Sequence, residues 1–120
     1  IKFSFNSYFP IKTVNFMRGV IIAEKDNFEK IYVEKIFNSI WMDGLNMNDP
    51  IVINKVLKNI DLNPELFLSK ATDQRIKDKL KKLTDEALKK GIFGAPTFLI
   101  NKKIFWGQDR LAYAIEEIRK

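Results

Sequence analysis

The chain contains neither cysteine nor histidine. Those absences exclude disulfides, thiol nucleophiles, imidazole bases and zinc sites of the usual ligand set, so most familiar enzyme chemistry is closed to these residues. Glycine and proline are scarce too, with five and four copies in 120 residues, and each therefore marks a local backbone demand. No apolar run approaches the roughly 20 residues needed to span a bilayer, and nothing at the start reads as a signal peptide. A soluble, cytoplasmic protein is the expectation.

What is present suits one folded domain: 46% of the residues are hydrophobic, among them ten Phe and two Trp, enough for a real core. Lys and Arg outnumber Asp and Glu by 21 to 15, a net charge of +6. The basic residues are interspersed with acids on faces that read as solvated, and the aromatics fall mainly at core-type spacings. Neither nucleic acid nor a membrane is an expected partner; an attraction for small anions is the more modest inference.

Residues 1 to 10, IKFSFNSYFP, alternate apolar and polar and are predicted to be extended. Thr13 is a plausible N-cap for a helix carrying Val14, Met17, Val20 and Ile21 to about Glu24. Asn27 is a plausible N-cap for a second helix, with Phe28, Ile31, Tyr32, Ile36, Ile40 and Trp41 as its core stripe, stopped near Asp43-Gly44. Asp49-Pro50 and Asn63-Pro64 each place a capping side chain before a proline at the first helical position, and so start two short helices. Thr72 or Asp73 opens the longest helix, with Ile76, Leu80, Leu83, Ala87 and Leu88 facing inward and Gly91 as its left-handed C-terminal residue.

After Gly91 the period changes. Thr97 to Ile100 and Lys103 to Trp106 read as strands of a hairpin joined through NKK, where Asn101 can take positive φ. The last stretch, GQDRLAYAIEEIRK, turns helical with Leu111, Ala114, Ile115 and Ile118 on one face and Asp109 near the helix start. The order divides the chain into a helical block, residues 1–90, and a ββα part, residues 91–120. Two strands are marginal alone, and the apolar run TFLI suits a strand buried on both faces. Partner strands are expected upstream of Ile1, or from residues 1 to 7, or from another chain.

The stretch GIFGAPTFLINKKIFWGQDRL, with FPIKTVNFMRG and IFNSIWMDGLNMNDP upstream, resembles the 2-hydroxychromene-2-carboxylate isomerases and kappa-class glutathione transferases. These are DsbA-like members of the thioredoxin superfamily. The resemblance rests on Gly91, Phe93, Gly94, Pro96, Thr97, Phe98, Phe105, Gly107, Asp109 and Arg110. It implies an α/β, thioredoxin-like fold fragment: the helical insertion followed by the β-hairpin and C-terminal helix, with the N-terminal βαβ half absent from these residues.

By the same resemblance the chain is expected to act in a glutathione-dependent isomerase or transferase on a small aromatic or electrophilic substrate, as a homodimer. The reactive serine of such proteins lies in the N-terminal half, so no catalytic residue is expected here; Ser4, Ser7, Ser39 and Ser69 lack the context. Pro96 is implied to be cis, leaving the backbone of Ala95 to pair with glutathione by strand addition. Gly107 permits close backbone approach. Gln108 and the N-terminus of the last helix receive the γ-glutamyl carboxylate, and Asp109 takes the adjacent ammonium group. The residues alone also allow a plain tight turn at Pro96 and an acid that merely favours a helix start at Asp109.

Lys12 stands where many isomerase-like members carry Asn; it either attracts a carboxylate or faces water. Phe93, Trp41 and Trp106 read as core or pocket wall. Two further classes stay open: a DsbA-type thiol-disulfide oxidoreductase, which needs a Cys-x-x-Cys pair upstream, and a non-enzymatic helical module that pairs its hairpin with a partner's sheet edge.

Overall fold

A computed structural model describes residues 1–120. They form two compact units, Ile1–Leu80 and Lys81–Lys120. No helix is long and apolar enough to cross a membrane.

The first unit is helical: α1 (Val14–Lys25), α2 (Glu29–Trp41), α3 (Pro50–Asn59), α4 (Pro64–Thr72) and the start of α5 (Gln74–Lys89). Helix α1 packs on α2 and α4, and α3 packs on α4 and α2. Between them lies the core, built from Phe16, Ile22, Tyr32, Ile36, Ile40, Met47, Val56, Leu57 and Phe67 with Ala23 and Ala71. The two expected cap pairs act as such. Asp49 accepts from the Ile51 N–H at 2.9 Å and Asn63 from the Leu66 N–H at 3.1 Å, each ahead of a proline that has no N–H to satisfy.

Other caps differ from expectation. Thr13 occupies the cap position of α1 without a side-chain hydrogen bond. Asn27 ends α1 instead of starting α2: its φ is 62°, its N–H reaches the Glu24 carbonyl and the Phe28 N–H returns to the Ala23 carbonyl. Asp61 with Leu62 closes α3 in the same way, and Gly91 with Ile92 closes α5. This is the Schellman arrangement, which needs a left-handed residue; Asn, Asp and Gly are the types that supply one.

Residues 1–7 form no strand. They are held to the end of α2 by polar bonds: the Ser4 N–H donates to the Trp41 carbonyl at 2.7 Å, and the fully buried Asn6 amide donates to the carbonyls of Ile40 and Leu45, both at 2.9 Å. Asn6 Oδ1 accepts from the Tyr8 N–H, so every polar atom of its buried side chain has a partner. Phe3, Phe5 and Phe9 gather around Trp41, with Phe3 stacked at 5.7 Å. These three are largely exposed, as is Phe37, so the aromatics are less confined to the core than their spacing predicts.

In α2 only Tyr32, Ile36 and Ile40 of the expected stripe are buried; Phe28 and Trp41 are half-buried and Ile31 is exposed. Ile31 lies about 100° around the helix from Tyr32, outside the arc that meets α1. The anticipated inward face of α5 buries nothing fully: Ile76 packs partly against the core, while Leu83 and Leu88 are exposed.

In the second unit, β1 (Thr97–Ile100) and β2 (Lys103–Trp106) pair antiparallel, Thr97 opposite Trp106 and Ile100 opposite Lys103. The connection is the two-residue turn Asn101-Lys102, with φ of 50° and 65°. Both central residues positive is the turn whose twist matches a hairpin. A short 3₁₀ turn (Gln108–Arg110) leads into α6 (Leu111–Ile118), which lies against both strands. The apolar face expected of α6 is covered only in part within this unit. Ala114 is buried, but Leu111, Ile115 and Ile118 are exposed, and the second buried side is Glu117.

Gly19 is the tightest point of the helical core: a Cβ there would overlap Tyr32 Oη and Phe67 Cζ. Tyr32 Oη donates to the Phe16 carbonyl at 2.9 Å, so that hydroxyl cannot move aside without losing its partner, and burial raises its pKa well above the ordinary value. Gly19→Ala is expected to cost up to about 3 kcal/mol in overpacking against a gain of about 1 kcal/mol in helix propensity. The net fall of roughly 2 kcal/mol is measurable by urea denaturation; unchanged or raised stability would show that α1 is free to move off α2.

Candidate functional site

The residues singled out near the C-terminus come together within the second unit. Register explains why. Because Thr97 opposes Trp106, the next residues outward, Pro96 and Gly107, face each other, and the Gly107 N–H donates to the Pro96 carbonyl at 2.9 Å. The loop before β1 and the turn after β2 are thus joined by a backbone hydrogen bond.

On the loop side, the Ala95–Pro96 bond is cis, as is Phe9–Pro10 in the first unit. Thr97 Oγ1 donates to the Gly94 carbonyl, which holds the loop into the strand. Gly94 has no room for a side chain, since a Cβ would overlap Trp106 Nε1. Trp106 in turn contacts Phe93 at 5.2 Å between ring centres, and both rings are mainly exposed, a wall rather than a core. Ala95 is exposed and its main chain makes no hydrogen bond.

On the turn side, Gly107 has φ 101° and ψ 151°, a conformation essentially restricted to glycine. A Cβ there would also collide with Asp109 Oδ1, so the carboxylate of Asp109 folds back over the glycine. That carboxylate is 77% exposed, and its nearest cation, Arg110 Nε, is 3.9 Å away. At such exposure the pair is worth little. Arg110 also lies over the Tyr113 ring at 5.6 Å. Within the 3₁₀ turn the Arg110 N–H bonds the Gly107 carbonyl, whereas the N–H groups of Gln108 and Asp109 have no acceptor in the chain. Unused N–H groups at a helical start favour an anion.

Ser4, Ser7 and Ser69 are exposed in the first unit, and Ser39 is buried with its hydroxyl donating to the Lys35 carbonyl.

Three comparisons bear on these features. The profile of the DSBA-like thioredoxin domain matches residues 1–119. The chain belongs to that family. Among curated proteins, this DsbA-like chain is 24% identical over 95 residues to a 2-hydroxychromene-2-carboxylate isomerase of Sphingobium xenophagum, covering 79% of this chain and 49% of that protein. It is 25% identical over 80 residues to the enzyme of the same name from Pseudomonas sp. (strain C18), covering 67% of this chain and 38% of that one. The chain therefore spans about half, or less, of the length of the curated relatives it matches. A solved 2-hydroxychromene-2-carboxylate isomerase structure superposes with a TM-score of 0.83 at 18% identity, over 99% of this chain and 58% of that one. That likeness establishes the thioredoxin-like, DsbA-type fold.

The support beneath the site includes a residue that sequence reasoning missed. Glu117 of the DsbA-like chain is almost fully buried, and its carboxylate accepts from Lys103 Nζ and Lys120 Nζ at 3.0 Å and from Asn101 Nδ2 at 3.3 Å. It clamps the hairpin tip to α6. The legible signal was its position three residues after Ala114, on the same helix face.

The bonds from Lys103, Lys120 and Asn101 hold the Glu117 pKa down to about 2. A carboxylate depressed in the folded state stabilises fully above its unfolded pKa of about 4.3 and ceases to do so as pH falls toward the folded value. The protection of residues 97–106 against amide exchange, measured relative to the intrinsic rate at each pH, is expected to fall between about pH 4.3 and pH 2, and Glu117→Gln should remove that fall. Identical pH profiles for the two proteins would contradict the clamp.

Proposed function

We propose that this chain is part of a glutathione-dependent isomerase of the 2-hydroxychromene-2-carboxylate isomerase type, and that it supplies one side of the glutathione site. One observation carries the reading: the hydrogen bond from Gly107 to Pro96 sets an unpaired loop backbone beside an exposed, weakly paired carboxylate and two unused N–H groups. A zwitterionic peptide needs those three features. The names of the curated relatives support the same reaction class.

In this reading the backbone of Ala95, ahead of Pro96, receives the cysteinyl segment of glutathione as an added strand. The N–H groups of Gln108 and Asp109 hold the γ-glutamyl carboxylate, the Asp109 side chain accepts from the ammonium group, and Gly107 keeps the approach clear. Glutathione itself brings the thiol. The substrate would be small and aromatic or electrophilic, the working form a homodimer and the compartment the cytoplasm.

Calorimetry with glutathione on the intact protein tests the assignment. Asp109→Asn should weaken binding by about 10- to 100-fold, the loss of a charge-assisted hydrogen bond of roughly 1.5–3 kcal/mol. Glutathione lacking its α-amino group should bind parent and variant alike. Equal glutathione affinity in the two proteins would remove Asp109 from the site and the cradle with it.

A further inference from the structure

Asp43–Gly44 is the single place in the chain where an aspartate or asparagine precedes glycine, and it lies where α2 gives way to the loop before α3. The fold needs that glycine. Its φ is 62°, and around it the Asp43 N–H reaches the Asn38 carbonyl and the Leu45 N–H the Ser39 carbonyl, which closes the end of α2. A side chain takes this left-handed position only with strain, so the peptide bond after Asp43 stays unshielded.

Closure of a succinimide ring needs a free side-chain carboxyl, a following N–H with no partner and no bulk beside that nitrogen. All three meet here. Asp43 is exposed and joins none of the ion pairs. The Gly44 N–H donates to no carbonyl of the chain, and a Cβ on Gly44 would meet no atom within 4 Å, so water reaches the bond freely. Asn6, by contrast, is buried with its amide tied to two carbonyls, which blocks the same closure.

We propose that Asp43–Gly44 is a site of spontaneous conversion to isoaspartate, and that the conversion releases residues 1–9 from the end of α2. The Gly44 nitrogen gives up its proton and attacks Asp43 Cγ; a C–N bond forms, a carboxyl C–O bond breaks, and one water leaves. Water then opens the imide at the former main-chain carbonyl. The chain now runs through Cγ, the old carbonyl is a free carboxylate, and mass and charge equal those of the starting protein. The reaction needs only water.

Release follows from the position of Asn6. Its amide spans the reactive bond, donating to the carbonyl of Ile40 on one side and of Leu45 on the other, both at 2.9 Å. The added main-chain methylene lengthens the path between those carbonyls by about 1.5 Å, more than a hydrogen bond tolerates. Loss of either bond leaves a buried donor unpaired, and the gathering of Phe3, Phe5 and Phe9 on Trp41 loses its polar anchor. Every residue involved belongs to the first unit, so the glutathione reading has no bearing on this site.

The test is prolonged incubation of the intact protein in ¹⁸O-labelled water at neutral pH, followed by peptide mapping. Isoaspartate at position 43, carrying one ¹⁸O, is expected to accumulate within about tenfold of the rate in a free peptide of residues 39–48, because exposed loops open at little free energy. Asp43→Glu should bring conversion below detection, since a six-membered imide closes far more slowly, and Asp43→Asn should reach the same product faster with loss of ammonia. The converted protein, once separated, should lose amide-exchange protection at Ser4 and Tyr8 while α1 and α4 keep theirs. Conversion slower than the peptide by more than about tenfold would mean that the helix end locks the bond, and overturns the proposal. Full protection at Ser4 and Tyr8 in the converted protein, or its loss throughout α1 and α4 as well, overturns the local release.

Discussion

The two-residue turn at Asn101 and Lys102 determines the register of the hairpin, and through it the place of every residue in the candidate site. A turn of that length with two left-handed residues admits one pairing, Ile100 with Lys103 and onward to Thr97 with Trp106. A slip by one residue would turn each side chain to the other face. It would also separate Pro96 from Gly107, whose hydrogen bond is what brings loop and helix start together. Glu117 guards this register from outside the sheet by holding Asn101 and Lys103 to α6. With only two strands to supply a ladder, this carboxylate with three donors adds a polar restraint to the packing of α6 on the hairpin.

The helical unit solves its packing differently. Its centre is a close approach of α1 to Tyr32 and Phe67 at Gly19, where the absence of a side chain lets a tyrosine hydroxyl reach a backbone carbonyl. Its edges are closed by polar groups that satisfy one another: Asn6 at the end of α2, the cap residues Asp49 and Asn63, and the left-handed Asn27 and Asp61. Arg18 Nε and Asn54 Oδ1 break this pattern, both buried without a hydrogen-bond partner.

Both units leave large apolar side chains in solvent, including Phe3, Phe5 and Phe37 in the first and Phe93, Trp106 and Ile118 in the second. The matched stretches cover 49% and 38% of the two curated relatives. The inward face of α5 and the apolar face of α6 were read from period alone. Period tells which residues share a stripe, whereas burial requires another element to lie against it.

The sequence by itself determined the element order, the two proline-led helix starts, the left-handed end of α5 and the hairpin with its closing helix, because each depends on chemistry within a few residues. It also carried the family, through a glycine and proline pattern that only particular backbone shapes require. Tertiary structure alone decided that Asn27 ends one helix instead of beginning the next, that residues 1–7 bind α2 through Asn6, that Gly19 admits Tyr32, and that Glu117 is a clamp. Each of these pairs a residue with a partner supplied by the packing, and a one-dimensional pattern cannot say which of several compatible partners folding will bring within reach.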